Sequence, residues 1–286
     1  MNDVITRMGD SVVHHGAAND RAYLMKLVGA EPSRAAADLE TLARREDYSK
    51  IVAKVPASAR EDFEGVGYRS EAAVPGFFGG NEEVHFMVKY LDPQRSRSEE
   101  QETIVQVLEA ARGKKPVEGE ETIDGRYRWR IPGPEDTPAM AEVYRQVFAT
   151  YPFPIHDPAY LRQTMADNVV YFGIWDGDRL IALSSAEMCT ASKSVEMTDF
   201  ATLPECRGGG FATFLLQQME AEMCRRCVLT AYTIARAVSF GMNITFAKLG
   251  YRFGGTLTNN TNISGSLESM NVWYKPLEAQ SAAGAA

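Results

Sequence analysis

The heptapeptide FEGVGYR at positions 63–69 recurs, with three residues changed, as FAKLGYR at positions 246–252. The Phe, the second Gly, the Tyr and the Arg of the first copy keep their offsets in the second. Each copy follows a short apolar run and precedes a stretch of alternating polarity. A repeated motif with the same flanking order indicates two copies of one supersecondary unit. We interpret that unit as strand, helix, Gly-Tyr and hairpin, and a chance match of seven residues is the alternative.

The flanking sequence divides the chain into four predicted segments. Residues 1–95 contain the first copy, which we interpret as a strand (RAYLMKLV), a helix (PSRAAADLETLARRED), a strand (KIVAKV), a helix (ASAREDFEGV) and a hairpin. Residues 96–121 are predicted to form a linker with a charged helix that carries only a thin apolar stripe. Residues 122–277 hold a longer set of elements with the second copy, and residues 278–286 are predicted to be a flexible tail.

Composition limits the class of protein and of partner. The chain has 286 residues, of which 45% are apolar and 24% charged, which is typical of a globular protein. The formal net charge of −8 argues against nucleic acid or an anionic membrane as the main partner. We find no secretory signal and no apolar run of membrane-spanning length.

The cysteines indicate the compartment and bear on metal binding. The chain has 4 cysteines, too few and too clustered for a disulfide framework, so we expect a cytoplasmic protein. Cys224 and Cys227 form a CxxC, but no second pair completes a zinc site, and we predict no metal. The oligomeric state stays open, with a homodimer as one option.

Three consecutive glycines, Gly208, Gly209 and Gly210, lie between a predicted strand and a predicted helix in ECRGGGFATFLL. Such a run lets backbone N–H groups approach a ligand at the positive N-terminal end of the helix, which predicts a pyrophosphate cradle. The alternative is a glycine-rich turn that binds nothing. The run is neither a Walker A loop nor a Rossmann fingerprint, because no GK[ST] follows and the glycines are contiguous.

The order of elements over residues 122–277 resembles the GCN5-related N-acetyltransferase (GNAT) superfamily. Arg207, Gly210 and Ala212 match its signature for binding coenzyme A, and the preceding strand ends in LP. The first copy has GAEPSRA in place of RGGGFA and lacks the glycine run. We therefore expect an α/β (α+β) fold with a mixed sheet, in which a degenerate, non-catalytic half-GNAT domain packs on a complete C-terminal GNAT domain.

More of the sequence is similar to one family within this superfamily, the β-lysine N-acetyltransferases. The similar stretches run through nearly the full length and include NDRAYLMKL, KIVAKVP, YPFPI, EMTDFATLP, TIARA and GGTLTNNTNISGSLESMNVWYKPL. The resemblance implies acetyl-CoA-dependent acetylation of the terminal amine of β-lysine, which yields a compatible solute. One alternative is an acetyltransferase for another small amine, diamino acid or polyamine. Another is a catalytically inactive sensor that binds coenzyme A or a partner.

Two carboxylates in the strand 195–203 are candidates for the catalytic base. Acetyl transfer needs a neutral amine, whereas an alkyl ammonium has a pKa of about 10.4. Glu196 and Asp199 are an odd number of residues apart, so they face opposite sides of a regular strand unless a bulge intervenes. We favour Asp199 as the base, acting through water, or as the ammonium anchor. The alternative is a charge solvated at a strand edge.

The GNAT resemblance also implies a set of donor-binding residues. The backbone of Phe200, Ala201 and Thr202 would pair with the pantetheine arm and donate to the thioester oxygen. The phosphate-binding loop would comprise Arg207, Gly208, Gly209, Gly210, Phe211 and Ala212. Ser239 occupies the place of a common Asn, and Phe246 that of the tyrosine that often protonates the thiolate, so this acid stays unassigned.

Four residues are candidates for contact with the acceptor. Arg236, at the end of the strand in TIARA, can meet a carboxylate bidentately. Tyr151 and Phe153 belong to YPFPIHDP, a proline-rich loop where the superfamily covers its acceptor. Asn260 is predicted to lie in the last hairpin loop and to reach the amino acid end, although Asn-rich turns are also common for conformational reasons.

Overall fold

The computed structural model describes residues 3–277 and shows one continuous mixed sheet with helices packed against it. The described part lacks residues 278–286, so the predicted tail lies outside it. The strands are β1 (Val4–Met8), β2 (Ser11–Gly16), β3 (Arg21–Lys26), β4 (Lys50–Pro56), β5 (Arg69–Phe78), β6 (Glu82–Tyr90), β7 (Tyr127–Arg130), β8 (Val169–Asp176), β9 (Arg179–Cys189), β10 (Ser194–Thr202), β11 (Thr230–Arg236), β12 (Arg252–Ile263) and β13 (Ser266–Pro276). The helices are α1 (Pro32–Arg45), α2 (Arg60–Gly65), α3 (Gln101–Arg112), α4 (Thr137–Val147), α5 (Pro158–Asp167), α6 (Phe211–Arg225) and α7 (Phe240–Lys248).

Strand order shows that the two halves repeat one topology. In residues 3–277 the sheet has the order β1-β2-β3-β4-β6-β5-β12-β13-β11-β10-β9-β8-β7. The set β3-β4-β6-β5 matches β10-β11-β13-β12, and only β3 with β4 and β10 with β11 pair in parallel in the described sheet. A chance match of a heptapeptide does not account for this agreement. The mixed sheet is that of the GNAT fold, as expected.

The first copy has two more strands than the sequence indicated. The antiparallel strands β1 and β2 precede β3, as β8 and β9 precede β10. The expected strand, helix, strand, helix and hairpin follow, as β3, α1, β4, α2 and β5–β6. Within the described residues, this copy has no counterparts of β7, α4 and α5.

The repeated heptapeptide is a helix C-cap. Gly67 and Gly250 follow α2 and α7 with φ of +90° and +82°, which glycine adopts without strain. The next residue in each copy, Tyr68 or Tyr251, donates its N–H to the carbonyl of Phe63 or Phe246 at 3.1 Å. The tyrosine ring packs edge-on against that phenylalanine, with centroids 5.1 and 5.0 Å apart. This is the Schellman motif with its apolar contact, so the kept Phe, Gly and Tyr have one conformational cause.

The two copies meet where β5 pairs antiparallel with β12, its own counterpart. Because equivalent strands run side by side in opposite directions, the copies have an approximately twofold arrangement. A methyl group at Gly254 would collide with the carbonyl oxygen of Ala73, and one at Gly255 with that of Glu71. Glycine at both positions permits this close approach.

The charged segment 96–121 packs on the second copy. Helix α3 contacts α7 and buries Ile104, Val107 and Ala111, which belong to the predicted apolar stripe. The N–H of Val117 donates to the carbonyl of Lys248 at 2.8 Å. Among the helices of residues 3–277, none combines the length and the apolar character needed to cross a bilayer. The domain boundaries themselves stay a prediction.

Candidate active site

A gap opens between the parallel strands β10 and β11. They pair only from Ser194 to Glu196 and from Thr230 to Tyr232. Beyond these residues β10 continues to Thr202 and β11 to Arg236 without pairing to each other. Leu203 donates its N–H to Ile181 of β9 at 3.0 Å. Since successive N–H groups of a strand point to opposite edges, the N–H of Thr202 points toward the gap.

The glycine run begins α6 at the mouth of this gap. Gly208 and Gly210 have φ of +90° and +74°, and a Cβ at either position would meet no atom within 4 Å. Gly210 is the N-cap of this 15-residue helix. Backbone N–H groups at the start of α6 thus lie beside open space, where the helix dipole favours an anion.

Neighbouring residues of the predicted loop have different surroundings. Arg207 is exposed and donates from Nε to the carbonyl of Thr202 at 3.4 Å. Phe211 is buried against Tyr127, with ring centroids 4.9 Å apart, and Ala212 is half-buried. Gly209 lies so close to Phe211 that a Cβ would come within 3.1 Å of its ring. Phe211 therefore supports the loop from the core side.

Three residues near the end of β10 define the inner wall of the gap. Ala201 is buried, whereas the half-buried ring of Phe200 meets Phe246 edge-on at 5.7 Å. Phe246 is fully buried and is also the phenylalanine of the α7 cap. Ser239 is the N-cap of α7 and accepts from the N–H of Met242 at 3.4 Å. Phe246 has no hydroxyl, so it cannot supply the acid for which a tyrosine would serve at this place.

The gap leads into a cavity of about 380 Å³ between the two copies. Four acids line it, namely Asp167, Glu187, Glu196 and Asp199. The register between β10 and β9 shifts between Thr198 and Ala201, and Asp199 has a φ of +54°. Because of this bulge, Glu196 and Asp199 both line one cavity although they are an odd number of residues apart. In a regular strand they would face opposite sides.

Hydroxyl groups surround the Asp199 carboxylate. Tyr151 and Ser185 donate hydrogen bonds to its two oxygens, and Thr198 lies at 3.4 Å. Burial raises the pKa of Asp199, and these three hydrogen bonds only partly oppose it. A carboxylate with a raised pKa is a better proton acceptor than an exposed aspartate.

Glu196 lies deeper in the same wall and accepts a hydrogen bond from Tyr232 Oη at 2.9 Å. Burial, followed by the neighbouring charge of Glu187, raises the pKa of Glu196 to about 7. Lys54 opposes this shift. Burial also raises the pKa of Glu187. The cavity therefore holds three carboxyl groups whose pKa burial raises, and among them the pKa of Glu196 reaches about 7.

The loop between α4 and α5, which contains YPFPIHD, lies over the cavity. Tyr151 packs against Phe148 at 5.0 Å, and Phe153 against His14 of the first copy at 5.0 Å. Both Tyr151 and Phe153 line the cavity. This loop thus spans from Asp199 on β10 to His14 of the first copy.

Arg236 and Asn260 also line the cavity, in surroundings that the sequence did not indicate. Arg236 forms a bidentate ion pair with the buried Glu268, at 2.8 and 2.6 Å, so its fork already holds a carboxylate. Asn260 is buried in β12 rather than in the hairpin loop, which turns at residues 264–265. The Asn-rich run is therefore part of a strand with a bulge between Leu257 and Thr261.

Comparison with known proteins agrees with this geometry. The model of the Acetyltransferase (GNAT) family matches residues 138–251. The chain is 39% identical to the β-lysine N(6)-acetyltransferase of Methanococcus maripaludis, over 95% of this chain and 98% of that one. It is 34% identical to the N-acetyltransferase YodP of Bacillus subtilis, over 93% and 96%. It is 32% identical to the β-lysine N(6)-acetyltransferase of Methanosarcina mazei, over 84% and 95%. The chain belongs to the β-lysine N-acetyltransferase family.

A solved structure also matches part of the chain. The ribosomal-protein-S18-alanine N-acetyltransferase of Escherichia coli covers 55% of this chain and 96% of its own, with 16% identity and a TM-score of 0.47. In residues 3–277 no cluster of three His, Cys, Asp or Glu residues could hold a metal ion.

The first copy of this acetyltransferase contributes cavity residues that sequence reasoning missed, and Lys54 is one of them. Its ammonium lies 3.4 Å from Tyr232 Oη and forms no ion pair with any residue in the described range 3–277. Lys50 begins and Lys54 interrupts the otherwise apolar strand KIVAKVP, and Glu187 follows the uncharged stretch LIALSSA in β9. Charges within an apolar strand were the available signal, because buried charges generally have a partner or a function.

Proposed function

We propose that this N-acetyltransferase transfers the acetyl group of acetyl-CoA to the terminal amine of β-lysine in the cytoplasm. Two relatives that carry this activity in their names support the substrate, at 39% and 32% identity. The structural observation that carries the proposal is the gap between β10 and β11, because it joins a glycine cradle to a cavity lined by carboxylates. An acidic cavity suits an acceptor that arrives as a cation.

The residues present fit acetyl-CoA as the donor. The N–H groups from Gly208 to Gly210, with the N-terminus of α6, would hold the pyrophosphate, and Arg207 and Ala212 flank them. The N–H of Thr202, together with the strand edge from Phe200 through Ala201, would donate to the pantetheine arm and the thioester oxygen. Phe246 and Ser239 would bound the other side of the gap. Acetyl-CoA supplies an activated acetyl group that a neutral amine can attack.

We assign removal of the proton from the acceptor amine to the cavity carboxylates. An alkyl ammonium with a pKa of about 10.4 would first pair with Asp199 and then transfer a proton to its oxygen, directly or through one water. Tyr151 and Ser185 orient that carboxylate. Glu196, whose pKa is about 7, is the second candidate for the base. The two candidates for the base, Asp199 and Glu196, therefore line the same cavity.

The loop between α4 and α5, called the lid, and the cavity wall that carries Arg236 and Asn260 would determine which amine enters. Tyr151 and Phe153 would pack on the alkyl chain, while Arg236 and Asn260 lie further along the cavity. Acetylation removes one positive charge from β-lysine, so the product has no net charge. This agrees with the synthesis of a compatible solute, which must accumulate without perturbing other proteins.

Steady-state assays of thiol release test the proposal. Purified enzyme with acetyl-CoA is offered β-lysine, α-lysine, ornithine, spermidine and putrescine, and NMR locates the new amide in each product. We expect the highest kcat/KM for β-lysine, with the acetyl group on the terminal nitrogen. Higher kcat/KM for a polyamine would replace the substrate but keep the enzyme. No turnover with any amine, together with binding of coenzyme A, would favour the sensor.

A further inference from the structure

Three buried cations of the first copy hold one segment of β12. Their exposed fractions are 0% for Lys50, 7% for Arg95 and 4% for Arg21. They donate in turn to the carbonyl oxygens of three consecutive residues, Thr258 (2.6 Å), Asn259 (2.8 Å) and Asn260. As far as these backbone contacts go, the three cations have the same structural role.

The cations differ in their counter-ions. Lys50 has Glu71 at 3.7 Å, and Arg95 has Asp20 at 2.8 Å. Arg21 forms no ion pair with any residue from 3 to 277. A buried charge without a partner is costly, so the missing anion calls for an explanation.

Arg21 is also the one of these three cations that lines the acceptor cavity. Its Nη1 donates hydrogen bonds to Asn260 O and to Thr261 Oγ1, the latter at 3.3 Å. Its buried Nε has no hydrogen-bond partner among the described residues. Asp3 is near enough to act on the pKa of Arg21, yet its oxygens accept from Ala18 N at 3.0 Å and from Asn19 Nδ2 at 2.6 Å. The guanidinium therefore retains a donor for a ligand at the cavity wall.

A hydrogen-bond acceptor lies beside this donor. Asn260 is 3% exposed and lines the cavity, and its Nδ2 donates to Thr261 Oγ1 at 3.2 Å. Its Oδ1 is buried and has no partner. An unpaired guanidinium donor and an unpaired amide acceptor together match a carboxylate and a neighbouring ammonium.

We propose that Arg21 of the first copy binds the carboxylate of the acceptor and that Asn260 accepts a hydrogen bond from the ammonium next to it. This inference rests on the proposed function and refines it. The acceptor then lies across both copies, with its amino acid end at the seam and its terminal amine at Asp199. Arg236, the candidate from the sequence, then keeps its ion pair with Glu268 and does not bind the acceptor.

Acceptor analogues that lack one group test each contact. 1,4-Diaminopentane is β-lysine without the carboxylate, and 6-aminohexanoate is β-lysine without the inner amine. Arg21→Gln should lower kcat/KM for β-lysine about 100-fold, as expected for a lost charged hydrogen bond, and leave kcat/KM for 1,4-diaminopentane within about 3-fold. Asn260→Ala should lower kcat/KM for β-lysine about 10-fold and leave that for 6-aminohexanoate nearly unchanged.

Arg95→Gln is the matched control, because it removes a buried arginine that holds the same strand but has its own counter-ion. It should lower the Tm without distinguishing β-lysine from 1,4-diaminopentane. Arg236→Gln tests the alternative, in which Arg236 rather than Arg21 binds the carboxylate of the acceptor. Equal losses for both acceptors in Arg21→Gln would reduce Arg21 to a structural role, and a loss restricted to β-lysine in Arg236→Gln alone would overturn the proposal.

Calorimetric titration with β-lysine separates this inference from the proposed function. If the wild type binds β-lysine without acetylating it, the proposed function fails, and weaker binding in Arg21→Gln by about 100-fold still supports the carboxylate site. If the wild type acetylates β-lysine and Arg21→Gln binds β-lysine as tightly as the wild type does, the proposed function stands and only the carboxylate site at Arg21 is wrong. Absence of binding by the wild type to both β-lysine and 6-aminohexanoate would overturn the site as well.

Discussion

The two copies of the repeat share a topology, but they differ where a parallel strand leads into a helix. In the second copy, Gly208–Gly210 leaves open space before α6. In the first, Pro32 begins α1 and Glu31 is its N-cap, with Ser33 Oγ donating to the Glu31 carboxylate at 2.6 Å. A carboxylate thus lies at the helix end where the second copy would receive a phosphate, and like charges repel.

The parallel strands differ as well. In the second copy, β10 extends six residues (197–202) beyond its last pair with β11. In the first copy, β3 extends only two residues (25–26) beyond its last pair with β4. One topology thus gives an open gap in one copy and a nearly closed pair in the other. The first copy keeps the scaffold without the glycine run, and its side chains Arg21 and Lys54 instead line the cavity between the copies.

The largest effect is expected from Asp199→Asn. The strand β3 of the first copy has no carboxylate, so we place the proton chemistry in the second copy alone. Asp199→Asn should lower kcat/KM for the acceptor roughly 100-fold or more near neutral pH, and leave binding of acetyl-CoA unchanged. Because alkaline buffer supplies more neutral amine, part of the rate should return there. Initial rates over a pH series measure both effects.

Glu196→Gln is the counterpart of that variant. If Asp199→Asn keeps full activity and Glu196→Gln loses it, then Glu196 is the base. Loss of folding or of acetyl-CoA binding in Asp199→Asn would instead indicate that this carboxylate only satisfies the hydroxyls of Tyr151 and Ser185.

A smaller effect is expected from Gly210→Val, which sharpens the comparison of the two loops. The added side chain fills the space beside α6, so the KM for acetyl-CoA should rise about 30-fold, with a lesser change in KM for the acceptor. Gly177→Val is a matched control, since Gly177 also has a positive φ (+59°) and open space, but lies in a hairpin turn. Ser33→Val tests the first copy. Equal rises in the KM for acetyl-CoA from Ser33→Val and Gly210→Val would abolish the distinction between the copies.

The sequence predicted the repeat, the glycine loop and the lid, because each depends on local signals. Gly67 and Gly250 carry a helix cap, and the prolines around Tyr151 rigidify a loop. Spacing alone assigned Glu196 and Asp199 to opposite faces, because a bulge depends on the pairing with β9.

Local sequence signals could not predict which residues of the first copy line the cavity. Lys54 and Arg21 reach the cavity only because β5 and β12 join the copies into one sheet. Strands β1 and β2 were missed because their sequences, VITRM and SVVHHG, are short and carry no clear alternation. Long-range pairing, which a single sequence does not encode locally, decides these features.

The smallest effect is expected from Lys54→Met, which tests whether the first copy acts on the chemistry of the second. Burial and Glu187 raise the pKa of Glu196 to about 7, and Lys54 restrains this rise. Removing the ammonium should therefore raise the pKa of Glu196 further. If ionised Glu196 is needed, the acidic limb of the kcat/KM profile moves to higher pH by about half a unit to one unit. The expected loss is about 2-fold to 5-fold near pH 7 and disappears above about pH 9.

Thermal unfolding distinguishes this electrostatic role from simple packing. A raised pKa in the folded state means that ionising Glu196 costs stability, so its penalty is absent below the unfolded pKa of about 4.3 and grows as pH rises through about 7. Lys54→Met should deepen that penalty at alkaline pH, whereas the double variant with Glu196→Gln should remove it. A Tm that falls equally at about pH 5 and about pH 8 in Lys54→Met would show lost packing against Phe77 and Tyr232, and would leave the first copy without influence on the catalytic acids.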